Sequence, residues 1–234
     1  LGQVYTIFET FKRTNRGVKM KLDISKIKQV RLKESQYFKE DAPKTQIYLH
    51  HTAGNGNAEG VSRYWNGNET RIGTAFIIGE DGLIVQCFSS KHWAWHLGID
   101  NQDFAVNGAK YQNLNKSSIG IEVCNWGYLT KRGDKFYNYA GGVVKPENVT
   151  TLETSFKGFK HWYKYSDAQI ESLRQLVEYL CDTYDIPKEY NDSIWAIDTD
   201  AFKNVKGIFT HNSVRKDKSD MYPCPRVIEM LKNL

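Results

Sequence analysis

The sequence predicts an α/β (α+β) fold in which a central mixed β-sheet is flanked by helices. Three observations carry this. Short apolar or β-branched runs recur at 46–50, 74–78, 83–88, 118–124 and 207–211. A long amphipathic pattern begins at Ser166. Strand-like and helix-like segments mix without strict alternation, which suggests a central sheet with helices packed on it.

Residues 1–44 are charged and only patchily apolar, and they close with the turn-like Asp41-Ala42-Pro43. They read as an extension packed on a main domain at 45–234. The core pattern starts with Gln46-Ile47-Tyr48-Leu49-His50, followed by a short helix over 58–65. Thr74 to Ile78 and Leu83 to Phe88 flank Gly79-Glu80-Asp81-Gly82, the pattern of a hairpin about an Asp-Gly turn. In Ser118 to Cys124, Ile119, Ile121 and Val123 alternate onto one face, so Glu122 must point the other way, beside Gly120. Residues 128–165 are rich in Gly, Tyr and Lys with weak periodicity, and predict an inserted hairpin or long surface loop of the kind that lines binding grooves. Ser166-Asp167-Ala168-Gln169 fits a capping box, with Ile170, Leu173, Val177, Leu180 and Tyr184 at helical spacing and Pro187 beyond the end. A closing helix is expected over 225–232, with Pro225 at its first position.

At 234 residues, with 40% hydrophobic and 25% charged content, the chain suits one large domain with an extension. The aromatic share is 13%, and Trp93, Trp95, Trp126 and Trp162 stand in polar stretches where a stacking role competes with ordinary partial burial. The net charge of +5 comes from Lys and Arg spread along the chain. The basic stretches 19–33 and 215–218 join no nucleic-acid-binding motif, so nucleic acid is not expected as a partner. A modest positive excess suffices for attraction to an anionic wall polymer. Cys87, Cys124, Cys181 and Cys224 lie far apart without C-x-x-C spacing and imply no disulfide framework. Cys124 and Cys181 read as small buried hydrophobes, whereas Cys224 sits between two prolines. No signal peptide and no bilayer-spanning stretch is recognised, so the expectation is synthesis in the cytoplasm without membrane insertion.

The pair His50-His51 ends an apolar run and enters the polar loop Thr52 to Asn57, placing an imidazole at the rim of a sheet. A His-His pair alone is more often a surface or core pair than a metal site. Its distant partners change the reading: Gly207-Ile208-Phe209-Thr210-His211 is a second short run ending in His, and Cys224 follows within Tyr222-Pro223-Cys224-Pro225. His50-His51-Thr52, the run 72–78 leading to Asp81-Gly82, Ser118-Ile119-Gly120-Ile121-Glu122, His211 and Cys224-Pro225 resemble, in order, the zinc-dependent N-acetylmuramoyl-L-alanine amidases of the type 2 family. That family includes phage endolysins, bacterial muropeptide amidases and animal peptidoglycan recognition proteins. The resemblance spans about residues 46–232.

The resemblance implies one Zn2+ held by His50, His211 and Cys224, with a fourth position open to water. Such a site suits hydrolysis, because zinc lowers the pKa of water to about 7 and polarises an amide carbonyl. Lys218-Ser219-Asp220 also resembles the Lys-x-Asp form of the motif, which leaves Asp220 as the alternative ligand. Cys224 is preferred because Pro225 and the closing helix follow it directly, and because thiolate is the stronger soft donor. Glu122 matches the family's general acid/base. His96 and Thr74 match positions in the substrate groove, although one branch carries Tyr where Thr74 stands. The family's Lys two residues before the Cys is replaced by Tyr222, so oxyanion stabilisation falls to Lys218 or to zinc alone. His51 is expected to point away from the metal.

The implied reaction is hydrolysis of the amide between N-acetylmuramic acid and L-alanine, with peptidoglycan as partner, by a monomer that reaches the wall through a holin or another release route. The competing expectation is a peptidoglycan-binding recognition protein on the same fold without catalysis.

Overall fold

The computed structural model describes residues 21–54 and 56–234. In chain order these form β1 (Lys28–Gln29), β2 (Gln46–His51), α1 (Ala58–Asn66), β3 (Phe76–Ile78), β4 (Ile84–Gln86), α2 (Asn101–Val106), α3 (Leu114–Ser117) and β5 (Ser118–Val123). Five strands follow: β6 (Tyr128–Arg132), β7 (Lys135–Tyr137), β8 (Val143–Val144), β9 (Val149–Phe156) and β10 (Phe159–Tyr163). The chain closes with α4 (Asp167–Tyr184), α5 (Thr199–Phe202), β11 (Gly207–Thr210) and α6 (Pro225–Lys232).

The main sheet has the order β1-β4-β3-β5-β2-β11. β3, β5, β2 and β11 are mutually parallel, β4 returns antiparallel to β3, and β1 pairs parallel to β4. The sheet is therefore mixed, as predicted. Every residue of β2 is buried, as a strand between two parallel neighbours requires. On one face Ile47, Leu49, Ile119 and Ile121 enter the core that α4 and α6 close. The expected hairpin is β3–β4, shorter than the sequence runs, and Gly82 turns it at φ +83. A Cβ on Gly82 would stand 2.9 Å from that of Ala168, so the turn rests directly on the first turn of α4.

Ser166 caps α4 reciprocally with Gln169, as its sequence predicts, and its hydroxyl donates to the Glu80 carbonyl at 2.6 Å. Gln169 Nε2 donates to the Cys124 carbonyl at 2.6 Å. The cap thus ties helix, hairpin and the end of β5 together. The described part of the extension joins the main sheet through β1 and contributes Ile27 and Leu32 to the core.

Residues 128–165 depart from expectation. They form a second, antiparallel sheet, β8-β7-β6-β10-β9, rather than a single hairpin or a loop. Few of its positions are buried, chiefly Leu129, Val144, Leu152 and Trp162, so its sequence lacks the alternation that marks a half-buried strand. Trp162 anchors it. That ring stacks on Tyr222 with centroids 4.7 Å apart, and Tyr222 stacks on Tyr165 at 5.1 Å. Among the described residues no helix is long and apolar enough to cross a membrane.

Candidate metal centre and active-site groove

Strand register builds the centre. Thr210 of β11 pairs with Leu49 of β2, so the next residue of each chain, His211 and His50, leave the sheet side by side. On the other flank of β2, His50 pairs with Glu122 of β5. The carboxyl ends of three adjacent parallel strands thus present His211, His50 and Glu122 in one row on one face. Ligand sites of open α/β sheets form at such ends.

The segment after β11 returns and adds a carboxylate. Asp220 Oδ2 lies 2.9 Å from His211 Nδ1 and 3.2 Å from His50 Nδ1, and the two Nδ1 atoms are 3.2 Å apart. His50, His211 and Asp220 are the group among the described residues whose ligand atoms converge, all within 4.8 Å of one another.

The hydrogen bonds behind these rings assign their tautomers. His211 Nε2–H donates to the Leu97 carbonyl at 2.9 Å, which leaves Nδ1 with its lone pair. Ser118 Oγ donates its only proton to the Leu114 carbonyl at 2.6 Å and so accepts from His96 Nε2–H at 2.9 Å. His96 Nδ1 is then an acceptor, and His50 Nε2–H donates to it at 3.0 Å. His50 Nδ1 is therefore also a lone pair. Two imidazole acceptors and a carboxylate face each other with no proton among them, an arrangement that a cation relieves and a hydrogen bond cannot. Two nitrogens and one oxygen, leaving a position toward the groove, fit a hydrolytic zinc site.

Protonation agrees with this arrangement. Burial holds the His50 imidazole down to about 4, against the opposing pull of Asp220, so it stays neutral and ligating. Burial would raise the Asp220 carboxyl, and only positive charge at the facing His211 and His50 nitrogens outweighs burial and holds it below the usual range; in the proton-free arrangement that charge falls to a cation. Burial, reinforced by the charge of Asp220, pushes the half-buried Glu122 carboxyl well above the usual range.

The groove has a volume of about 810 Å3, within the range of small-ligand sites. His50, His211, Asp220, Glu122 and Lys218 lie on it, and Tyr64 and Tyr139 stand exposed on its walls. Tyr139 and Trp126 form a tilted pair with centroids 5.9 Å apart. In the sequence Trp126 was visible only as an aromatic in a polar stretch and Tyr139 only as part of the Tyr-rich segment 128–165 expected to line a groove, whereas Tyr64 gave no signal.

The predicted site residues divide. His50, His211 and Glu122 come together. Cys224 is not in the converging group: it stands at the N-cap position of α6 at 1% exposure, beside Tyr222, while Asp220, the alternative ligand, takes the position facing the histidines. The reason lies in the length of the returning loop, which brings the chain to the metal centre at 220 and has already passed into the aromatic stack by 222. His96 borders the groove, but both its ring nitrogens are committed to His50 and Ser118, so it orients a ligand and has none left for substrate. Thr74 also borders the groove, with its hydroxyl donating to the Phe76 carbonyl at 2.8 Å. His51 points to the opposite face, where Nδ1 meets the Tyr165 hydroxyl at 3.0 Å. Tyr222, which stands where the resembling family has Lys, is fully buried and donates to the Tyr163 carbonyl, whereas Lys218 reaches the groove.

Comparison with known proteins gives a consistent picture. A family model described as N-acetylmuramoyl-L-alanine amidase matches residues 40–225. The solved structure of PlyL superposes with a TM-score of 0.52 at 15% identity, covering 88% of this chain and 96% of its own. A mutant of PlyL gives 0.51 at 15% identity, covering 89% and 99%. At these identities the likeness is one of fold. No curated protein matches the sequence.

Proposed function

Since the chain belongs to the N-acetylmuramoyl-L-alanine amidase family, we propose that it hydrolyses the amide between N-acetylmuramic acid and L-alanine in peptidoglycan, using one zinc ion. The observation that carries the zinc reading is the convergence of two proton-free imidazole nitrogens and the Asp220 carboxylate. His50, His211 and Asp220 would hold the ion. When bound, it supplies a Lewis acid that polarises the scissile carbonyl and lowers the pKa of water.

The chain's own residues do the rest. Glu122, half-buried next to His50 in strand register, accepts the proton of the attacking water and returns it to the leaving alanine nitrogen. Burial raises its pKa, which helps it hold the proton taken from water until the leaving nitrogen receives it. Lys218 on the groove wall is the cation nearest in sequence to the ligand Asp220 and offsets negative charge developing on the carbonyl oxygen. His96 and Ser118 hold His50 in its ligating tautomer. Residues 45–234 form the catalytic unit, and the edge strand β1 braces it. The lytic role of an endolysin is part of the same proposal and rests on the family match.

Mass spectrometry of digested peptidoglycan tests the reaction: free N-terminal alanine should appear with the glycan strands intact, and glycan cleavage without peptide release would overturn it. Glu122→Gln should lose at least about 100-fold in turnover and retain zinc. Near-normal activity in that variant removes Glu122 from the mechanism.

A further inference from the structure

Although Lys and Arg are spread along the chain, most of their excess over Asp and Glu falls in its second sheet. Residues 128–165 carry seven Lys or Arg against three Asp or Glu, a net +4 of the chain's total of +5. Among the described residues none of the seven pairs with a carboxylate, whereas Lys28, Lys39, Lys116, Lys188 and Lys206 each do. Exposed cations that forgo available carboxylates and crowd together repel one another, and a polyanion relieves that repulsion.

Sheet topology gathers most of them at one end. β6 and β10 run antiparallel with Leu129 opposite His161, so the β6–β7 turn at 133–134 and the β9–β10 turn at 157–158 lie side by side. Lys131, Arg132, Lys135, Lys157 and Lys160 flank these turns, all exposed, with Asp134 and Glu153 as the carboxylates of the same strands. Burial, then the positive charges of Lys131 and Lys160, hold the His161 imidazole below its usual value, which places both cations around it. Lys157 Nζ donates to the Lys216 carbonyl at 2.8 Å, and Lys218, two residues on, lines the groove. The basic end of the sheet is thus continuous with the mouth of the metal centre.

We propose that this end of the second sheet is a docking surface for a linear phosphodiester polymer attached to the peptidoglycan that the groove receives. The choice of that polyanion rests on the amidase reading, because a polymer joined to the substrate would hold the wall along the path from Lys157 to Lys218. The sheet does not offer what single-stranded nucleic acid uses. The rings of Phe136, Tyr137 and Phe156 lie under Lys131, Arg132 and Lys157 at 5.7, 5.4 and 5.7 Å, so a cation already takes one face of each ring that base stacking would use.

Cosedimentation with bacterial walls that carry phosphodiester polymers, and with the same walls after hydrofluoric acid removes them, tests the proposal. Native protein should bind intact walls several-fold more tightly than stripped walls, and the difference should shrink as NaCl is raised. The variant K131Q/R132Q/K135Q/K160Q should bind both walls as native binds stripped ones, while melting and cleaving a soluble muropeptide as native does. Equal binding of native and variant to intact walls, or of native to intact and stripped walls, would overturn the proposal. Stronger competition by DNA than by polyglycerol phosphate at equal charge would overturn it in favour of nucleic acid. A native protein that shows the wall difference but cleaves no soluble muropeptide would sink the amidase reading and leave the docking surface standing.

Discussion

His96 shows how much of the proposed metal site is decided one residue behind the side chains that would hold the ion. Its two nitrogens transmit the polarity of a backbone carbonyl, through Ser118, to His50, and so decide which nitrogen of His50 carries a proton. Replacing it by Ala frees His50 to rotate and change tautomer. His96→Ala should therefore weaken zinc binding by about 10–100-fold, measured by competition with a chelating dye, while circular dichroism stays native. Unchanged affinity would mean that packing alone orients His50. At this scale the sequence was legible for His50, His211 and Glu122, because each ends or interrupts a strand-like run and its side follows from alternation. The third ligand was not. Asp220 and Cys224 differ by four positions in a loop without periodicity, and a preference for thiolate says nothing about where such a loop bends.

At the scale of elements, strand register brings the site together and close packing fixes it. Gly120 lies between the Glu122 strand position and the His96 ring: an added Cβ would stand 2.6 Å from Thr74 Cγ2 and 3.1 Å from His96 Nδ1. Its use here is the absence of a side chain, since β5 is ordinary extended strand. Gly120→Ala should cost about 1–3 kcal/mol in denaturant unfolding and should lower zinc affinity by displacing His96. A variant with native stability and affinity would show that Thr74 and His96 shift at no cost. Helices α1, α4 and α6 and the β3–β4 hairpin were legible because caps, periodicity and turns have local signatures, as at Ser166 and Gly82, whereas the short α2, α3 and α5 were not. The second sheet was not, because most of its side chains face solvent on both sides and its anchor is a single ring stack, Trp162 on Tyr222, between residues far apart in sequence.

Across the whole molecule, the extension, the loop after β4 and helix α3 before β5 meet at Lys44. Its side chain is 4% exposed, and Nζ donates to the Lys116 carbonyl at 2.7 Å and the His92 carbonyl at 2.9 Å. Burial lowers its pKa to about 7, against the pull of Glu40. Between that value and the ordinary lysine pKa the unfolded chain binds a proton that the folded chain does not, so this group makes stability rise with pH, by up to about 1.4 kcal/mol per unit. The window closes near pH 9. Above it the thiols of Cys87, Cys124 and Cys181, pushed by burial to about 12, stay protonated only in the folded state and act in the opposite direction. Urea unfolding of native and Lys44→Met protein from pH 7 to 9 should show a rising stability in the first and a flatter profile in the second; parallel profiles would mean that Lys44 stays charged when folded. The same joining of distant segments produces the proposed metal centre, where β2, the residue after β11 and the returning loop would each supply one ligand. Metal analysis of purified native, Asp220→Ala and Cys224→Ala proteins tests that centre most directly. One zinc per chain in the native protein, lost in Asp220→Ala and kept in Cys224→Ala, is the predicted result; zinc kept without Asp220 and lost without Cys224 would contradict it.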